Sequence, residues 1–162
     1  MKTETGVRGS RGFSLSEMLV VVAIVGLAVA IAIPVTSEQV RLAKVRAAAD
    51  EFAIHLKAAR MIAVTTRATA DDPLEFVVVP DPTNTYRYPA VNGQDRTYRL
   101  PSGVRIVSPT AETTIAFRGD GSLAAANTTV LEAMISGDER ERFTVTTSIL
   151  GVSTVSRARV RS

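Results

Sequence analysis

The sequence predicts an α+β protein in which a long N-terminal helix packs on a C-terminal antiparallel β-sheet head. Three observations predict this fold class: an uncharged apolar run near the N-terminus, a helical period that continues after it, and short strand-like segments through the second half. No helix-length apolar pattern recurs between those segments, which favours an antiparallel arrangement over a parallel, doubly wound one. A chain of 162 residues has room for one ordinary domain and an appendage.

The first half of the predicted helix is apolar enough to cross a membrane. Residues 18–33 carry no charge, and counting from Phe13 gives about 21 residues, or about 31 Å of helix. A cleaved secretory signal has a shorter apolar stretch and a small-x-small cleavage site, which this segment lacks. Three basic residues precede the run: Lys2, Arg8 and Arg11. They predict that the N-terminus stays in the cytoplasm and that the rest of the chain is exported.

Helical periodicity resumes after Pro34. Apolar residues recur there at intervals of three or four, which predicts a buried helix face. They are Val45, Ala48, Phe52, Leu56, Ala59 and Ala63. We therefore expect one helix from about residue 14 to about residue 67, bent or locally loosened at Pro34. The one histidine, His55, lies on this helix and is expected to be a surface or half-buried side chain rather than a metal ligand or a base.

Turn-forming residues at 69–73 end the predicted helix, and eight short strands are predicted after them. Glycines separate most of these strands. Their predicted ranges are 74–79, 86–88, 96–100, 104–107, 114–117, 129–135, 143–147 and 152–160.

Composition and motifs exclude several kinds of chemistry. The chain has no cysteine and no tryptophan, which removes disulfides, thiolate metal sites and cysteine nucleophiles. No nucleophile-elbow sequence, phosphate-binding loop or calcium-binding loop occurs. The formal charge of +3 is modest, and residues 1–12 supply two of these charges with three basic side chains against one acidic. We therefore expect no enzymatic activity, no cofactor and no metal site.

Residues 11–22 resemble the type IV prepilin signature. A short basic leader ends at Gly12, Phe13 follows it, Glu17 comes four residues later, and the apolar run ends at Pro34. The resemblance implies cleavage after Gly12 by a prepilin peptidase and N-methylation of Phe13. It also implies that Glu17 pairs with the freed ammonium group of a neighbouring subunit and sets the register between subunits.

The same resemblance implies a pilin-like division of the chain. Residues 1–12 form the leader, residues 13–34 the transmembrane and filament-core helix, residues 35–70 the amphipathic second half of the helix, and residues 71–162 a β-rich periplasmic head. The implied location is the bacterial inner membrane, crossed once, and then a filament.

The distal half resembles one branch of these proteins, the GspH/FimT minor pseudopilins and minor pilins. The residues that carry this resemblance are at 56–63, 100–104 and 115–122. It implies a structural subunit at or near the tip of a type II secretion pseudopilus or a type IV pilus. The implied partners are the prepilin peptidase, other minor and major pseudopilins or pilins, the inner membrane and secreted cargo.

Arginines alternate along the last predicted strand, so that Arg157, Arg159 and Arg161 project to the same side. Two interpretations stay open: a solvated edge strand whose charges discourage association of sheets, and a stripe that contacts phosphates. In the FimT side of the branch, a C-terminal Gly-Arg-x-Arg pattern is associated with DNA binding in natural transformation. The corresponding residues here are 156–159, with serine in place of glycine, so the alternative function is that of a DNA-binding, FimT-like minor pilin.

Overall fold

The computed structural model describes residues 14–90, 93–136 and 138–161. One helix, α1, extends over Leu15–Thr66, close to the predicted limits. It ends in a Schellman turn: Arg67 adopts a left-handed conformation, and the Ala68 N–H donates to the carbonyl of Ala63 at 3.0 Å. The chain divides into two compact units, Met1–Ser37 and Glu38–Ser162, and α1 contributes residues to both. The bend at Pro34 stays a prediction.

Eight strands follow the helix, each within four residues of its predicted limits. They are β1 Leu74–Val79, β2 Thr85–Pro89, β3 Asp95–Arg99, β4 Val104–Ser108, β5 Thr113–Phe117, β6 Asn127–Ser136, β7 Glu139–Thr147 and β8 Ser153–Arg161. The largest difference is at β7, which begins at Glu139 instead of residue 143. Residues 139–142 are alternating glutamates and arginines, which have low β-propensity, and ion pairs to neighbouring strands hold them in the sheet.

The strands form two antiparallel four-stranded sheets. The first has the order β3-β2-β1-β5, and the second has the order β4-β6-β7-β8. The strand β8 is therefore an edge strand, paired with β7 along its full length. The predicted α+β fold, an N-terminal helix followed by an antiparallel β-sheet head, is confirmed.

The predicted apolar face of α1 forms the centre of the core in the unit Glu38–Ser162. All six of its predicted members are buried in one apolar cluster with side chains from both sheets. Phe52 lies at the centre, with its ring 5.3 Å from that of Phe76 and 4.9 Å from that of Tyr86, both edge to face. Fully burying one such aromatic side chain contributes about 1.5–3 kcal/mol, so this face stabilises the head by fixing it to the helix.

The turn after β5, which contains Gly121, and the hairpin between β7 and β8, which contains Gly151, both approach Arg60 of the helix. Arg60 donates from Nε to the carbonyl oxygen of Gly121 at 3.1 Å. Gly151 has a φ of 72°, and a Cβ atom there would lie 2.1 Å from the same oxygen. Only glycine accepts both the left-handed conformation and this contact.

Candidate functional site

Glu17 lies in the first turn of α1 and is exposed. The backbone N–H groups of Glu17 and Met18 donate to the carbonyl of Ser14 at 3.1 and 3.2 Å, which defines the start of the helix. A carboxylate at this end of a helix is favoured by the helix dipole. Glu17 has no ion pair with any residue in the described part of the chain. Gly12 and Phe13, the predicted cleavage and methylation residues, lie outside the described residues.

The first half of α1, around and after Glu17, exposes apolar side chains on every face. Its large exposed apolar residues are Leu15, Met18, Leu19, Val20, Val21, Val22, Ile24, Val25, Leu27 and Val29. A helix that is apolar all round is stable only inside an apolar environment or among other helices. Within the ranges that the structure describes, no helix meets the length and apolarity needed to span a membrane. The single-pass topology stays a prediction.

The arginines of β8 lie on one face, as predicted, and each is paired with a carboxylate of β7. Arg161 Nη2 lies 2.7 Å from Glu139 Oε1, and this hydrogen-bonded partner holds the pKa of Glu139 below its usual value. Arg157 donates from Nε to the fully buried Glu141, and Arg159 Nε lies 3.6 Å from Glu141 Oε2. Three guanidinium groups therefore share two carboxylates. The three arginines and the two glutamates together carry a formal charge of +1. Contact of these arginines with DNA stays a prediction.

A second charged cluster on the same sheet was not predicted. Glu132 is 1% exposed and is held by three arginines, with Arg105 Nη2 at 3.0 Å, Arg140 Nη1 at 3.2 Å and Arg142 Nη2 at 2.9 Å from its carboxylate oxygens. Burial raises the pKa of Glu132, but the hydrogen bonds from the arginines outweigh it and place the pKa below its usual value. This cluster follows from the register of β6 with β4 and β7, which places Glu132 between Arg105 and Arg142, and the register is not readable from the sequence.

All three tyrosines of the chain gather around its one histidine. His55 is half-buried, as predicted; its Nδ1 lies 2.8 Å from the Tyr86 hydroxyl, and its ring stacks on that of Tyr88 at 4.1 Å. The Tyr98 hydroxyl donates to Glu51, which raises the pKa of Tyr98 to about 12. Over the described residues, no group of three histidines, aspartates or glutamates is arranged to hold a metal ion. The sequence alone did not predict this cluster, because the three tyrosines lie 31 or more positions along the chain from Glu51 and His55.

Comparison with known proteins bears on the N-terminal segment. Residues 7–33 match the prokaryotic N-terminal methylation motif. The matched range contains Gly12, Phe13 and Glu17, and the recognition of a type IV prepilin-like chain is confirmed. No curated protein and no solved structure matches the chain significantly.

The fold and the motif together define the class of protein. The chain is a pilin-like substrate of a prepilin peptidase, with the N-terminal helix and antiparallel β head of that class. The motif is that of proteins that are first anchored in a membrane and then assembled with other pilins into a filament.

Proposed function

We propose that this chain is a minor pseudopilin or minor pilin of the GspH/FimT family, a non-enzymatic structural subunit. It is held in the bacterial inner membrane by one span, with its head in the periplasm. After cleavage it enters a type II secretion pseudopilus or a type IV pilus at or near the tip. The observation that carries the proposal is the exposed apolar helix bearing the methylation motif, joined to a folded β head.

The apolar half of α1 supplies the driving force for assembly. Its exposed side chains pass from lipid into contact with neighbouring helices, so close packing between helices, and not removal of apolar surface from water, favours assembly. Glu17 is the one charged side chain among residues 14–33, so it needs a cationic partner wherever that helix is packed in an apolar environment. The α-ammonium group of a cleaved Phe13 in an adjacent subunit supplies such a charge and fixes the axial register.

The test is the incorporation of a Glu17→Gln variant into filaments in cells that contain the cognate peptidase and assembly proteins. We expect normal cleavage but strongly reduced incorporation, because a buried ammonium group without its carboxylate costs about 3–5 kcal/mol. The matched control is Asp50→Asn, which removes an exposed carboxylate from the same helix. Incorporation of Glu17→Gln equal to that of Asp50→Asn would refute the register function.

A second candidate function is DNA binding by the arginines of β8, as in FimT-like minor pilins. The observation in its favour is that Arg157, Arg159 and Arg161 share one exposed face of an edge strand. Binding of a DNA duplex, followed by fluorescence anisotropy, should then weaken with a log-log salt slope near −0.9 for each phosphate neutralised. Arg159→Gln should lower that slope, whereas Arg118→Gln, at an exposed turn, should not.

A further inference from the structure

A cavity of about 520 Å³ opens to solvent beside the tyrosine cluster. Its size is within the range of pockets that bind small molecules or single side chains. Its lining residues come from one helix face and two neighbouring strands, all within the unit Glu38–Ser162. They are His55, Ala58, Ile62, Tyr88, Pro89, Ala90 and Arg96.

The walls of this cavity are apolar and firmly held. The ring of Tyr88 stacks on that of His55, and His55 is fixed in turn by its hydrogen bond to the Tyr86 hydroxyl. Ala58 and Ile62 continue the same helix face at spacings of three and four residues. An aromatic ring can pack against this apolar wall, since offset and edge contacts between rings contribute beyond buried area alone.

One unpaired cation lies at the edge of the cavity. Arg96 forms no ion pair with any carboxylate of the described residues, whereas each arginine of the second sheet does. Burial lowers the pKa of His55 despite the nearby Glu51, so the imidazole is neutral at about pH 7. Glu51 is held by Tyr98 and does not line the cavity. Among the described residues that line the cavity, Arg96 is therefore the only one with a formal charge.

We propose that this cavity is a docking site for a segment of another protein that carries an aromatic side chain next to an aspartate or glutamate. The aromatic ring packs against Tyr88, Ile62 and Ala58, and the carboxylate pairs with Arg96. The opening to solvent allows the bound side chain to remain part of a longer polypeptide. This site does not depend on the proposed filament function.

Tyrosine fluorescence of the full chain in detergent micelles reports on this cavity directly. The chain has no tryptophan, and all three of its tyrosines belong to the cluster around His55. The probe is the peptide acetyl-Ala-Phe-Asp-Ala-amide, which contributes no tyrosine signal. We expect a saturable change in emission, and we expect the matched peptide with asparagine in place of aspartate to bind roughly fivefold more weakly.

Three variants separate docking at this cavity from other effects. Arg96→Gln should weaken binding of the aspartate peptide roughly fivefold, whereas Arg99→Gln, on the opposite face of the same strand, should leave it unchanged. Ala58→Leu should weaken binding, because the larger side chain occupies the part of the cavity in which the aromatic ring packs. Unchanged far-ultraviolet circular dichroism verifies that each variant is folded.

Several results would overturn the proposal. The first is the absence of a saturable change in tyrosine emission. The second is equal binding of the aspartate and asparagine peptides. The third is an equal loss of peptide affinity in Arg96→Gln and Arg99→Gln. Binding of free 3-phenylpropionate without binding of the peptide would also overturn it, because the site would then take a small organic acid instead of a protein segment.

Discussion

Replacing Glu132 by glutamine should destabilise the β head strongly. The carboxylate is 1% exposed and accepts hydrogen bonds from Arg105 on β4 and from Arg140 and Arg142 on β7. Glutamine keeps the shape of the side chain and one acceptor oxygen but removes the negative charge. The three guanidinium groups then face one another without a counter-ion.

The expected loss in the free energy of unfolding follows from the burial of Glu132 and the partial exposure of its three arginine partners. Removing one partner of a buried ion pair costs about 3–5 kcal/mol. The arginine side chains are 54%, 30% and 37% exposed, so water solvates them partly in the variant. We therefore expect the lower end, about 3 kcal/mol. At about 2–4 °C per kcal/mol, the midpoint of thermal unfolding should fall by roughly 6–12 °C.

The loss of stability in Glu132→Gln should depend on pH. The arginines hold the pKa of Glu132 below its usual value in the folded protein. The stabilisation from this carboxylate is therefore fully present above the unfolded pKa, about 4.3, and it is lost as the pH falls through the folded pKa. The difference between wild type and Glu132→Gln should be large at about pH 7 and should shrink below about pH 4.

Thermal unfolding of the full chain in detergent, monitored by the circular dichroism signal of the β-sheets, measures the difference in stability between wild type and Glu132→Gln. The matched control is Glu75→Gln, which removes an exposed carboxylate of β1 that has no ion pair among the described residues. A loss in Glu132→Gln no greater than that in Glu75→Gln would refute the reasoning. A loss that is the same at neutral and acidic pH would refute the electrostatic cause.

Two further predictions concern the core and the hairpin. Phe52→Ala should reduce the free energy of unfolding by about 3–5 kcal/mol, because Phe52 is completely buried and packs against Phe76 and Tyr86 of the first sheet. Urea titration checks this, and a loss below about 1 kcal/mol would contradict the packing. Gly151→Ala should be more destabilising than Gly103→Ala in the same titration. Both glycines have positive φ, but only at Gly151 would the added Cβ meet a backbone oxygen, that of Gly121. Equal losses in the two variants would argue against that close contact.

Short-range patterns in the sequence predicted the helix and the strands well. The buried face of α1 follows from a period of three and four residues, which is a property of the helix alone. The single face shared by Arg157, Arg159 and Arg161 likewise follows from the alternation of side chains along one strand. These predictions need no knowledge of what lies beside each element.

Features that depend on the pairing of distant strands were not predicted. The partners of Glu132 and Glu141 depend on the register between strands, and neither charge is recognisable as buried from its own surroundings in the sequence. Grouping of Tyr86 and Tyr98 with His55 likewise requires the order of the first sheet. A one-residue change in register would move each of these side chains to the other face.

Assembly into a filament depends on processing of the N-terminus, and one measurement tests that processing most directly. The full chain is coexpressed with a prepilin peptidase, extracted from membranes, and analysed by intact mass and N-terminal sequencing, for wild type and for Gly12→Ala. We expect a wild-type chain that begins at N-methylated Phe13 and a variant that keeps residues 1–12. A wild-type chain that retains residues 1–12 beside an active peptidase would contradict this expectation.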